Sequence, residues 1–112
     1  MAVSPETRDH VLELFGALGH VTARPMMGGL TLYADGCVFG IVGPEDRVFI
    51  KAADGLADAL RDEGCERFAF ERKDGKIAHM GYWTLPDTAL DDPEEACAWA
   101  RRSLAANHPG FS

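Results

Sequence analysis

Arg24, Pro25, Met26, Met27, Gly28 and Gly29 set a guanidinium and two thioethers beside two glycines, directly ahead of the alternating run Leu30-Thr31-Leu32-Tyr33. A guanidinium at a Gly-Gly corner can offer its planar fork to a carboxylate or phosphate while the backbone amides of Gly28 and Gly29 approach closely. The same residues also have a plain structural use, with Arg24 paired to an acid of its own fold and the glycines allowing a bulge or bend. Strand alternation sends only one of the two methionines to a core, which leaves Met27 as a candidate for an adaptable partner surface. Lys51 follows Val48-Phe49-Ile50 and becomes a nucleophile only if burial lowers its pKa; otherwise it is a strand-end charge. Tyr82 and Trp83 are adjacent on a strand pattern, so one faces a core and the other an open surface or interface.

The remaining reactive side chains do not assemble into a catalytic set. His10, His20, His79 and His108 fall on different elements without an i, i+4 pair, so no metal site is expected. Cys37, Cys65 and Cys97 lack a C-x-x-C spacing and are odd in number, which argues for buried thiols over disulfides or a zinc knuckle. A Cys37 and His79 nucleophilic pair could meet only through the fold. The net charge of -7 opposes direct nucleic-acid binding, which draws on Lys and Arg neutralising phosphates. Arg72, Lys73 and Lys76, and the pair Arg101-Arg102, are diluted by neighbouring acids and read as solvated charges. No apolar run is long enough for a bilayer and no signal-peptide pattern opens the chain, so no membrane role and a cytoplasmic location are expected.

At 112 residues the chain is expected to be one domain over residues 1–112. Ser4-Pro5-Glu6 starts a helix that the apolar spacing carries to about Leu18, with Gly19 as its stop. Strands are expected over residues 22–33, 37–42 and 47–51, with Asp35-Gly36 and Gly43-Pro44-Glu45-Asp46 as turns. A short helix carries Leu56, Ala57 and Leu60 on one stripe, and a second hairpin joins Phe68 to Arg72 with Ile77 to Leu85. Asp92-Pro93-Glu94-Glu95 is a capping box that opens a helix reaching about Ala106. The order α-β-β-β-α-β-β-α predicts an α+β fold, a single antiparallel sheet with its helices packed on one face.

Five pieces in order resemble a known family: Arg24-x-Met26-Met27-Gly28-Gly29 with Leu32-Tyr33, Phe49-x-Lys51-Ala52, Phe68-x-Phe70, Met80-x-Tyr82-Trp83-x-Leu85-Pro86, and the Asp92-Pro93 helix with Trp99 and Ala100-Arg101-Arg102. The chain is similar over nearly its whole length to the N-terminal domain of the TfoX/Sxy family, which occurs in regulators of bacterial natural competence and in short stand-alone proteins. The resemblance implies the same element order. It supplies no catalytic residue set, and it departs at Pro25, where the family more often has a basic or polar residue, and at Met27, where Phe is common. The competence regulators carry a second, C-terminal domain; this chain ends at Ser112, so their full role is not carried over.

These readings converge on a non-enzymatic regulatory or protein-interaction domain, without catalytic residues, metal or cofactor, that meets a protein partner and forms a homodimer. Its candidate contact residues are Arg24, Met27, Gly28, Gly29, Lys51, Tyr82 and Trp83. The alternative is a small-molecule or anion-binding protein, conceivably an enzyme, with a pocket around Arg24, Gly28, Gly29 and Lys51. That alternative requires Arg24 and Lys51 to be free of neighbouring acids.

Overall fold

The computed structural model describes residues 4–26, 29–43, 46–71 and 73–108. In chain order they form α1 (Pro5–Leu14), a 3-10 turn (Gly16–Leu18), β1 (Val21–Met26), β2 (Gly29–Ala34), β3 (Cys37–Val42), β4 (Val48–Lys51), α2 (Asp54–Asp62), β5 (Arg67–Glu71), β6 (Ile77–Thr84), a second 3-10 turn (Asp87–Ala89) and α3 (Pro93–Asn107). The strands make one antiparallel sheet in the order β1-β2-β3-β4-β6-β5, so the chain is α+β, as its pattern of elements predicts.

Local chemistry explains the element ends. The Ser4 hydroxyl accepts from the Thr7 amide at 3.2 Å, and an Asp92 carboxylate oxygen accepts from the Glu94 and Glu95 amides at 3.0 and 3.3 Å, satisfying donors that the first helical turns leave free. Asp35 and Gly36 both take positive φ, 49° and 83°, the geometry of a two-residue hairpin turn that matches strand twist. Two boundaries differ from the sequence reading by more than a residue. Residues 22–33 are not one strand: β1 and β2 fold back on each other, with Met26 opposite Gly29. The first helix stops at Leu14 and continues only as a 3-10 turn, because Gly16 weakens the helix there.

All three helices pack on the same face of the sheet. Val11 and Leu14 of α1 and Ala96, Ala100 and Leu104 of α3 bury Leu32, Phe39, Val42, Val48 and Ile50. Leu56 and Leu60 of α2 pack with Trp83, which stands opposite Ile50 in the β4–β6 register and so shares its face. One bulge serves this core. Leu32 pairs with Gly40 and Tyr33 with Val38, so Phe39 is an extra residue that turns inward and meets the Phe15 ring edge-on at 5.0 Å.

Helix α3 is also tied to the backbone of the central strands. The Ser103 hydroxyl donates to the Phe39 and Lys51 carbonyls, Asn107 donates to the Lys51 carbonyl at 3.3 Å, and a His108 ring nitrogen lies 2.9 Å from the Val38 carbonyl. The main chain at Lys51 is thereby fixed from the covered side. Its side chain leaves toward the other side.

Candidate functional site

Register assigns the opposite face. Arg24 stands opposite Thr31, Thr31 opposite Ile41, Ile41 opposite Phe49, and Lys51 opposite Tyr82. Cross-strand partners share a face and residues two apart along a strand share it too, so Arg24, Tyr33, Ile41, Phe49, Lys51 and Tyr82 lie together where the three helices are not. Ile41 and Phe49 are buried and form its floor, with Phe68 edge-on to Phe49 at 4.9 Å. Tyr33, Lys51 and Tyr82 are half-buried and Arg24 is exposed.

Two arginines stack on aromatic rings of this face, and their electrostatics differ. The Arg47 guanidinium lies 5.6 Å from the Phe49 ring centroid and is already paired with Glu66 at 3.0 Å. The Arg24 guanidinium lies 5.5 Å from the Tyr33 ring centroid, and among the described residues it has no acidic partner. Lys51 likewise forms no ion pair there. A guanidinium resting over a ring still has donors available for a carboxylate or phosphate. Burial, and secondarily the Tyr33 phenol, push Tyr82 above its ordinary value of 10.0.

The sequence candidates thus divide. Arg24, Lys51 and Tyr82 come to one face; Trp83 goes to the other, against α2. Gly29 is explained by packing, because a side chain there would run into the Val42 carbonyl oxygen. Met27 and Gly28 lie outside the described residues. Tyr33, which no reading of the chain singled out as a site residue, is the ring on which Arg24 rests. The signal for it was the alternation Thr31 to Tyr33, which identifies their common face once β1 and β2 are recognised as a hairpin.

Other reactive groups are engaged structurally. Burial pushes the Cys65 thiol up, with Glu63 and Asp87 adding to the effect and a hydrogen bond with Thr84 opposing it, so it is a thiol and not a thiolate near neutrality. Cys97 lies buried with its sulfur 3.6 Å from the Leu14 carbonyl, and a His10 ring nitrogen lies 3.3 Å from that of Leu90. A shallow depression of about 200 Å³ lined by Asp46, Arg47, Val48, Thr84, Leu85, Asp87 and Leu90 is bordered by the Arg47–Glu66 pair. Among the described residues no group of three or more His, Cys, Asp or Glu is placed to hold a metal ion, and no helix is long and apolar enough to cross a membrane.

A six-stranded antiparallel sheet with every helix on one face and cations stacked on aromatics across the other defines a small α+β protein with a one-sided sheet. Residues 13–107 match the TfoX N-terminal domain, from within α1 to the last residue of α3, and the chain belongs to that family. No curated protein gives a significant match.

Proposed function

We propose that this chain is a non-enzymatic, cytoplasmic regulatory module that meets a protein partner through the face of the sheet its helices leave open. The observation that carries this reading is the strip of Arg24, Tyr33, Lys51 and Tyr82, whose two cations have no acidic partner among the described residues although the protein as a whole carries a charge of -7. A cation left unpaired on an acidic protein has no evident use in the stability of the fold, since surface charges contribute little there. Its use is in recognition. The raised thiol of Cys65 and the main-chain contacts of His10 and His108 support the non-enzymatic part of the reading, because they leave these groups with structural employment.

Two copies placed face to face would bring the same cations together, so the homodimer we propose would use a different surface. The experiment is site-directed photo-crosslinking in native lysate, with a photoreactive phenylalanine analogue in place of Tyr33 and, as the control, in place of the exposed Ala98 on α3. A protein adduct from position 33 and not from position 98, lost on Arg24→Ala, supports the reading. Equal adducts from both positions, or none from position 33, reject it.

A second reading is favoured by the stacked guanidinium itself: a small molecule or anion held near Arg24, Gly28, Gly29 and Lys51. Native mass spectrometry of protein purified from its own host separates the two, since a bound small anion leaves a mass increment that Arg24→Ala removes.

A further inference from the structure

We propose that the ligand of the open face is an extended acidic segment of a partner protein, with two carboxylates on one side of its strand, one taken by Arg24 and the other by Lys51. The inference rests on the interaction reading above and specifies its chemistry.

Spacing is the first argument. Arg24 belongs to β1 and Lys51 to β4, three strand intervals apart in the sheet. The Arg24 guanidinium leans over Tyr33 on β2, which shortens the gap to two intervals, about 10 Å at roughly 4.8 Å each. At that separation a single carboxylate or phosphate meets both cations only if their stems lean together, whereas two carboxylates can meet them apart. An extended peptide places side chains of one face about 7 Å apart at i, i+2 and about 13 Å apart at i, i+4, and flexible Glu or Lys stems cover the difference.

The second argument is the surface beside the cations. Tyr33 on β2 lies on the Arg24 side of Lys51 and Tyr82 on β6 lies on its far side, both half-buried. Phenol rings beside the buried floor of Ile41 and Phe49 suit peptide groups and short side chains. Nucleic acid fits less well: it brings a charge with every nucleotide against a protein of net charge -7, whereas a peptide brings two. A second copy of this chain set face to face presents the same two cations.

The test uses the full chain, isotopically labelled for backbone NMR, and blocked seven-residue peptides of Gly and Ser that carry Glu at positions 2 and 4 or at positions 2 and 6. Companion peptides carry Gln instead; phosphate, glutarate and a short oligothymidylate serve as further probes. The expected result is that the Glu peptides move the signals of Arg24, Tyr33, Lys51 and Tyr82, that the Gln companions bind about tenfold more weakly, and that binding weakens as salt rises. Arg24→Gln and Lys51→Gln each reproduce the loss while melting at the wild-type temperature. Gln peptides that bind as well as Glu peptides, shifts confined to another surface, or glutarate, phosphate or oligothymidylate matching the Glu peptides would each overturn the inference. If position 33 crosslinks to a partner but the adducted segment has no acidic pair, this inference fails and the interaction reading stands. If position 33 gives no adduct, the reading itself fails.

Discussion

The two faces of this sheet solve the same problem differently. On the covered face, side chains from α1 and α3 bury Leu32, Phe39, Val42 and Ile50 to a few per cent exposure or less, and the polar groups that enter are spent on main-chain carbonyls. On the open face no described helix supplies that cover; Phe49 there meets the Phe68 ring edge-on and the Arg47 guanidinium, and Arg24 lies over Tyr33. Stacking hides a ring and the stem of the arginine, but leaves the guanidinium edge in water. Arg47 gives that edge to Glu66; Arg24 has no acidic partner for it among the described residues. The difference teaches that the covered face encodes stability, while the open face carries, beyond its buried floor, the charges on which the proposed recognition rests.

The largest break in that comparison is made from the covered side. Phe39→Ala removes a fully buried ring at the bulge, together with its contact to Phe15, and is expected to cost about 3–5 kcal/mol by chemical denaturation. An equal loss from Tyr33→Ala would show that the open face carries as much of the fold, and would undo the division. Gly29→Ala comes next. It forces a methyl against the Val42 carbonyl between two paired strands, for an expected loss of about 1–3 kcal/mol and a lower melting temperature. Ser103→Ala removes the hydroxyl that ties α3 to β3 and β4 and is expected to cost about 1 kcal/mol, with Asn107 still holding the Lys51 carbonyl. Arg24→Ala and Lys51→Ala are expected to leave stability within about 0.5 kcal/mol of wild type. A loss well above that for either residue would return it to a structural role.

Much of the covered face was legible in the chain because it is written in local chemistry. Asp92 at a helix start, Asp35-Gly36 in a turn and the Leu56 and Leu60 stripe each act over a few residues, and all three stand as read. The open face depends on pairing between strands distant in sequence, which local signals do not carry. The hairpin between β1 and β2 escaped notice because its turn has no Asn-Gly or Asp-Gly pair, although twelve residues is long for one strand. Without that hairpin Arg24 and Tyr33 have no common face. The bulge that sends Phe39 inward was equally invisible, since a continuous apolar run does not say which residue is the extra one. Tyr82 and Trp83 could be assigned to opposite faces from alternation, but only the β4–β6 register says which is which.

The smallest expected effect gives the sharpest view of the strip. The chain has two tyrosines, so their phenolates can be followed by absorbance without interference from others. Tyr82 should titrate above its ordinary value of 10.0, and Tyr82→Phe should remove that later transition. Tyr33→Phe should bring Tyr82 down only part of the way, because burial outweighs the neighbouring phenol as the cause. The folded chain then holds the Tyr82 proton more tightly than the unfolded chain does. Stability is therefore unaffected by this group below pH 10 and falls as pH rises from there through the folded value; Tyr82→Phe should flatten that fall. A Tyr82 that titrates at or below its ordinary value would mean that Lys51 or Arg24 lies against its hydroxyl and stabilises the phenolate. The cations would then converge on one point rather than flank a strip, and a single small anion would replace the two-carboxylate segment as the ligand the face is built to hold.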